Sequence, residues 1–172
     1  LSVRKITRKA STRIARAAFA LAAQRRRKIT VVHKANVFRL SDGLFLEAVR
    51  AVREDFPDFE YEEQIVDAMA ALLIRDPAQF DVIVTTNMFG DILSDEASEI
   101  AGGLGMAASL NAGDNFAMAQ AQHGSAPSLA GQGIANPSSL IGSAAMLLRW
   151  IAKRHDAPHF VLAAKAIEGA IS

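Results

Sequence analysis

The sequence predicts a three-layer α/β fold, and an incomplete one. Two short, β-branched apolar runs, at 29–33 and 81–86, have the length and composition of buried strands. Apolar stripes at helical spacing lie before, between and after them, the alternation expected of α/β domains. With 172 residues, 51% of them hydrophobic, the chain can form the core of one ordinary domain or of parts of two.

The elements follow in order. A first helix is expected over about 8–26, because Ile6, Ala10, Ile14, Ala17, Ala18 and Leu21 make one apolar face. The strand 29–33 comes next and passes into a loop at Lys34. Ser41-Asp42 opens a helix over about 42–55. Phe56–Glu63 reads as an acidic loop, followed by a helix over about 64–75. The strand 81–86 breaks at Asn87 and Gly90 and passes into a helix over 91–101 that begins near Asp91. Gly102-Gly-Leu-Gly105 ends that helix, and from there to Pro137 the chain turns to Ala, Gly, Ser and Asn with a single acid, Asp114. This shift sets an expected domain boundary, dividing residues 1–101 from 102–172. A strongly apolar helix from Leu140 to Ile151 and a last helix over about 159–171, behind Pro158, complete the order. The chain starts at Leu1 and stops within a helical pattern at Ser172, which reads as a piece of something longer.

Composition narrows the partners. Nineteen basic and 18 acidic residues leave no global attraction to nucleic acid or a membrane surface. Zero cysteines exclude disulfides and thiolate metal sites and fit a reducing, cytoplasmic setting. No apolar run has the length needed to span a bilayer. Residues 1–41 hold twelve Lys/Arg and no acid, including Arg25-Arg-Arg-Lys28. Such a start imitates a transit peptide or a phosphate-tracking helix. Its apolar face leads straight into the strand Ile29–Val32, however, and no aromatic alternates with the basic residues. The segment is therefore read as part of the fold, with its charges solvated and no nucleic-acid partner.

Several residues carry candidate chemistry. Asp91 and Asp95 stand four apart, so a helix sets both carboxylates on one face. They suit a hard divalent ion such as Mg²⁺ or Mn²⁺; the alternative is a helix cap and a dipole partner. Asp67 lies in the otherwise apolar Ile65–Ile74 segment, where an ionised group needs a partner, a metal or a place at the edge of the stripe. Lys34 stands where a strand meets a loop, a position at which α/β folds place working groups and at which an amine can serve as acid or base. Gly103-Leu-Gly105-Met-Ala-Ala108 matches a dinucleotide pattern, but a helix precedes it where a strand is required, so it is assigned to chain turning. His123-Gly-Ser-Ala-Pro-Ser128 and the following Gly131 to Pro137 offer small residues whose amides can approach a ligand, though a surface turn has the same composition. Ser125 lacks the G-x-S-x-G setting of a hydrolase nucleophile.

Together, Val32-His-Lys-Ala-Asn-Val37, Asp42-Gly-Leu-Phe45, Val66-Asp-Ala68, Asn87-x-x-Gly-Asp-Ile-Leu-Ser-Asp95, Gly102-Gly-Leu-Gly105, His123-Gly-Ser-Ala-Pro127 and Ile134-Ala-Asn-Pro137 resemble the β-decarboxylating dehydrogenases. That family includes isocitrate, isopropylmalate, homoisocitrate and tartrate dehydrogenases. The resemblance runs from about Ile6 to about Leu148. It implies an oxidoreductase of the isocitrate/isopropylmalate-dehydrogenase-like fold that oxidises a 2-hydroxy acid with NAD or NADP and then releases the carboxylate β to the new ketone. It implies that Asp91 and Asp95 hold Mg²⁺ or Mn²⁺ and that Asp67 is a third metal carboxylate reaching into a partner subunit. Lys34 would take the hydroxyl proton, also across a homodimer. His123, Gly124, Ser125, Ala126 and Ser128, with Ile134 and Asn136, would hold the adenosine half of the cofactor. Residues 1–101 would then be the dimer-making, substrate and metal domain, and 102–172 part of the cofactor domain.

The chain also departs from the family pattern. The family fold is roughly twice as long, and the substrate arginines and the proton-donating tyrosine expected upstream have no match here; Tyr61 does not replace the latter. Ser128 stands where an acid or a lysine usually reads the adenosine ribose, and no basic residue follows it, which favours NAD. Gln120-Ala-Gln122 replaces the usual lead into His123. His33 and Asp42–Phe45 point to isocitrate among the substrates, while a non-catalytic regulatory relative is the competing class.

Overall fold

A computed structural model of the protein describes residue 1 and residues 3–171, and the chain divides into two units, Leu1–Ala97 and Ser98–Ser172. In the first unit, helix α1 (Arg8–Ala22) starts where the Thr7 hydroxyl accepts from the Ala10 amide at 3.2 Å. It buries Ser11, Ala15, Ala18, Phe19 and Ala22, a stripe at helical spacing. The helix stops four residues short of the expected Arg26. Arg27 takes a left-handed conformation at φ 58°, and Arg25 and Arg26 turn to Asp81.

Strands β1 (Lys28–His33), β2 (Glu60–Ile65) and β3 (Val82–Thr85) form a parallel sheet in the order β2-β1-β3. β1 is central, so Ile29 through Val32 are buried on both faces. One face carries α1 and α2 (Ser41–Arg53), whose Phe45, Val49 and Val52 close over Ile29, Val31, Val82 and Val84. Phe19 stacks on Phe56 there, with ring centroids 4.8 Å apart. Truncating so buried a phenylalanine costs about 3–5 kcal/mol. The other face carries α3 (Val66–Arg75) and α4 (Asn87–Ile100), packing Met69, Leu73 and Leu93 around Val32 and Phe80. This is the three-layer arrangement expected.

β2 corrects the reading of 56–63 as a loop. Glu60-Tyr-Glu-Glu-Gln has poor strand propensity, but its acids find partners along the parallel register. Lys28 lies 3.7 Å from Glu60 and 3.8 Å from Glu62, Thr30 donates to Glu62 at 2.6 Å, and Arg50 grips Glu63 with two bonds. Because β2 runs to Ile65, the helix expected from 64 begins at Val66.

In the second unit a hairpin replaces the expected charge-poor loop. β4 (Ala108–Ala112) and β5 (Ala117–Ala121) pair antiparallel, and α5 (Ser138–His155) packs on them. The small residues are what the close packing requires. A side chain at Gly142 would sit 3.1 Å from the Ala108 methyl. The fully buried Ser139 and Ser143 on α5 bond the hairpin backbone at Gln122, Ser109 and Gln120. α5 ends at Asp156, left-handed at φ 49°, and Arg149 forks onto Glu168 of α6 (His159–Ala170).

Candidate active site

Parallel strands share one edge for all their C-terminal ends, and ligand sites of α/β sheets form outside that edge. Lys34 follows β1, Asp67 stands in the first turn after β2, and Asn87 and Asp91 follow β3. The topology alone therefore delivers the catalytic and metal candidates of the first unit to one side of the sheet.

Lys34 and Asp67 meet: the ammonium donates to Asp67 Oδ1 in an ion pair. Lys34 is 23% exposed and Asp67 68%, so Asp67 lies at the edge of its apolar stripe and in water. The bond from Lys34, and then the helix amide of Asp67 itself, hold its carboxyl below the usual aspartate range. Behind the lysine is Asp42, which in the sequence reads as a helix opener and as part of the Asp42-Gly-Leu-Phe45 motif. Asp42 is fully buried; its Oδ2 accepts from the Lys34 amide at 2.8 Å and its Oδ1 meets Arg4 at 3.0 Å. An acid at a helix start is so common that nothing in its sequence position signals this burial.

Asp91 does not cap its helix, because α4 begins at Asn87 and places Asp91 in the second turn. The early start follows from Thr86, whose carbonyl accepts from Gly90 at 2.9 Å. Asp91 and Asp95 are both exposed on α4. Among the described residues no three His, Cys, Asp or Glu side chains converge as a metal site, so Asp67 does not join Asp91 and Asp95 within one chain.

The second unit holds a cavity of about 630 Å³. Of the residues expected to hold the cofactor, His123, Gly124, Ser125, Ala126 and Asn136 line it; Ser128 and Ile134 do not. Leu104 and Gly105, assigned to chain turning, line it as well. Turning is supported by Gly102 at φ 126° and Gly103 at φ 106°, while Gly105 is needed because a Cβ there would press to 3.1 Å from Asn136. Ala126 is held left-handed at φ 41°, a conformation costly for a residue with a side chain and common at ligand loops. No Asp, Glu, Lys or Arg lines the cavity. The basic start of the chain, by contrast, is engaged within the fold: Arg8 reaches Glu47 at 2.8 Å, and Arg25 reaches Asp81 at 2.8 Å.

The likeness to known proteins is extensive. A family model described as isocitrate/isopropylmalate dehydrogenase matches residues 1–172. The 3-isopropylmalate dehydrogenase of Saccharolobus solfataricus is 48% identical over 99% of this chain and 50% of its own length. The homoisocitrate dehydrogenase of Methanocaldococcus jannaschii is 52% identical over 90% of this chain and 44% of its own. The crystal structure of isocitrate dehydrogenase from Methylococcus capsulatus superposes with a TM-score of 0.88 at 46% identity, covering 99% of this chain and 48% of that one. The chain thus spans about half the length of the curated relatives it matches. With a match along its whole length and the sheet-edge residues in place, the chain belongs to the isocitrate/isopropylmalate dehydrogenase family.

Proposed function

We propose that this chain forms part of a metal-dependent, NAD-linked dehydrogenase that oxidises and decarboxylates a 2-hydroxy acid, and that isocitrate is its substrate. The observation that carries this is the Lys34–Asp67 pair, delivered by neighbouring strands to the sheet edge that also launches α4. The relative named 3-isopropylmalate dehydrogenase favours a second reading, isopropylmalate, on the same chemistry.

The donor set suits a hard ion. Asp91 and Asp95 offer exposed carboxylates from one helix face, and Mg²⁺ typically takes one or two carboxylates and keeps several waters. A bound Mg²⁺ or Mn²⁺ would polarise the substrate oxygens as a Lewis acid, and a nicotinamide would accept the hydride. Lys34 accepts the hydroxyl proton at Nζ as the neutral amine, for which its ammonium must first part from Asp67 and give one proton to solvent. Asp67 adds a carboxylate to the Asp91/Asp95 pair of a second copy, so the working unit is a homodimer with shared sites. Exposed Met88 and Ile92, four apart on α4, support a packed neighbour on this helix. His123 to Ala126 and Asn136 hold the adenosine half of the cofactor in the uncharged cavity, with Ser128 and Ile134 at its margins. A cysteine-free chain suits the cytoplasm.

The test is reduced-nicotinamide formation by the enzyme at full family length with Mg²⁺, offering isocitrate and isopropylmalate against NAD and NADP. Turnover with isocitrate, abolished by chelator and by Lys34→Ala, is the expected result. Turnover with isopropylmalate alone selects the second reading. No turnover with any pair would shift the assignment to a regulatory relative.

A further inference from the structure

We infer that Asp42 and Arg4 are positioning residues that fix the Lys34 loop and tie it to the start of α4. The inference rests on Lys34 acting in the proposed reaction. Lys34 leaves β1 with no ladder partner for its amide, and Asp42 Oδ2 supplies one at 2.8 Å from eight residues downstream. The Lys34 carbonyl is held from the same side, accepting from the Val37 amide at 2.9 Å and the Phe38 amide at 2.8 Å. Both backbone groups of the lysine are therefore fixed by residues 37–42, while its side chain reaches Asp67.

Asp42 is fully buried, and a buried carboxylate needs a compensating cation. Arg4 is that cation, at 3.0 Å, although it belongs to the segment before α1. The same guanidinium nitrogen donates to Thr86 Oγ1 at 2.7 Å, and Thr86 immediately precedes the first residue of α4. The guanidinium also sits between two rings, 5.3 Å from the Phe38 centroid in the lysine loop and 5.2 Å from that of Phe89 in α4. One arginine thus bridges the loop that carries Lys34 and the helix that carries Asp91 and Asp95. Lysine could not replace it, since a single ammonium lacks the planar fork and the stacking face.

The test compares Asp42→Ala and Arg4→Lys with Val49→Ala, a core truncation on the same helix whose apolar side chain makes no polar bond to either group. Two readouts are taken on the enzyme at full family length. The first is amide hydrogen exchange over residues 33–40, expected to quicken at least about fivefold in both positioning variants, with no change in Val49→Ala beyond its global loss of stability. The second is kcat, expected to fall at least about tenfold with KM and NAD affinity within about twofold, because displacement of a catalytic group by about 1 Å costs up to about 10²-fold. Exchange unchanged over 33–40 overturns the inference whether or not the enzyme turns over. Quickened exchange with kcat held overturns the link to Lys34, and loss of turnover in Lys34→Ala alone would leave the proposed function standing without it. Should Asp42→Ala fail to fold, Arg4→Lys carries both readouts.

Discussion

Ser143→Ala tests how the strand that leads into the cavity loop is held. The Ser143 hydroxyl is fully buried on α5; it accepts from the Ser109 amide at 2.9 Å and lies 2.8 Å from the Gln120 carbonyl, to which it donates. Alanine removes one atom and clashes with nothing, so the cost is one of hydrogen bonding. The donor and the acceptor lie in part-buried bonds, and each left without a partner costs about 1 kcal/mol, rising to about 3 as burial becomes complete. The hydroxyl has one proton to share between Gln120 and the Ser139 carbonyl at 2.7 Å, so only one acceptor is lost at a time. Better helix propensity returns about 0.5 kcal/mol. The net expectation is a loss of about 1.5–5.5 kcal/mol, which at a urea slope of about 1–3 kcal/mol per M moves the unfolding midpoint down by about 0.5 M or more. Since β5 runs directly into Gln122 and His123, NAD affinity measured by calorimetry should fall as well. A loss under about 0.5 kcal/mol, within the range of ordinary surface changes, would refute the claim that these serines hold the hairpin.

Other consequences follow from the same geometry. Asp95→Asn should raise the Mg²⁺ concentration that half-saturates activity by at least about tenfold, read in a metal titration, because one of two charged oxygen donors becomes neutral. Ser128→Asp should shift the kcat/KM ratio towards NAD, since a carboxylate accepts ribose hydroxyls and repels the NADP phosphate. Asp81 is 3% exposed: burial raises its carboxyl, but bonds from Arg25 and the Arg26 amide, with their charges, hold it below the ordinary range. A depressed folded pKa stabilises above the unfolded value of about 3.9 and is lost as pH falls through the folded one, so Asp81→Asn should destabilise near neutrality and progressively less below about pH 4 in urea melts. A destabilisation that persisted unchanged at low pH would show the carboxylate charge to be irrelevant.

Much of the first unit was legible because its central elements obey simple periodicities. β1 and β3 are apolar on both faces, and α1 and α2 bury regular stripes. β2 was not legible, because what makes it a strand is the basic and hydroxyl side chains of β1 and α2 that neutralise its acids, partners distant in sequence. The β4–β5 hairpin was hidden for the opposite reason. Five of its ten strand residues are alanine and none is β-branched or aromatic, so the run has no strong strand propensity of its own. The start of α4 was placed four residues late because Asn87 and Gly90 look like breakers. Here they lie in its first turn, where four amides lack helical partners in any case.

The candidate site was legible to the extent that chemistry-bearing residues follow strand ends. A lysine after one apolar run and paired aspartates after another can be read from spacing, since a parallel sheet sends all such ends to one edge. What spacing cannot supply is the supporting layer. Asp42 reads as an ordinary helix opener and Arg4 as one of twelve early basic residues, yet a fully buried Asp42 pairs with a partly exposed Arg4 between segments 38 positions apart. Its value lies in geometry, since replacing a buried pair by apolar groups is often no less stable. A charge buried at such a cost beside the proposed catalytic lysine is better explained by the need to hold that lysine's backbone than by stability. Asp42→Ala and Val49→Ala separate these two explanations, because only the first removes the bond to the Lys34 amide.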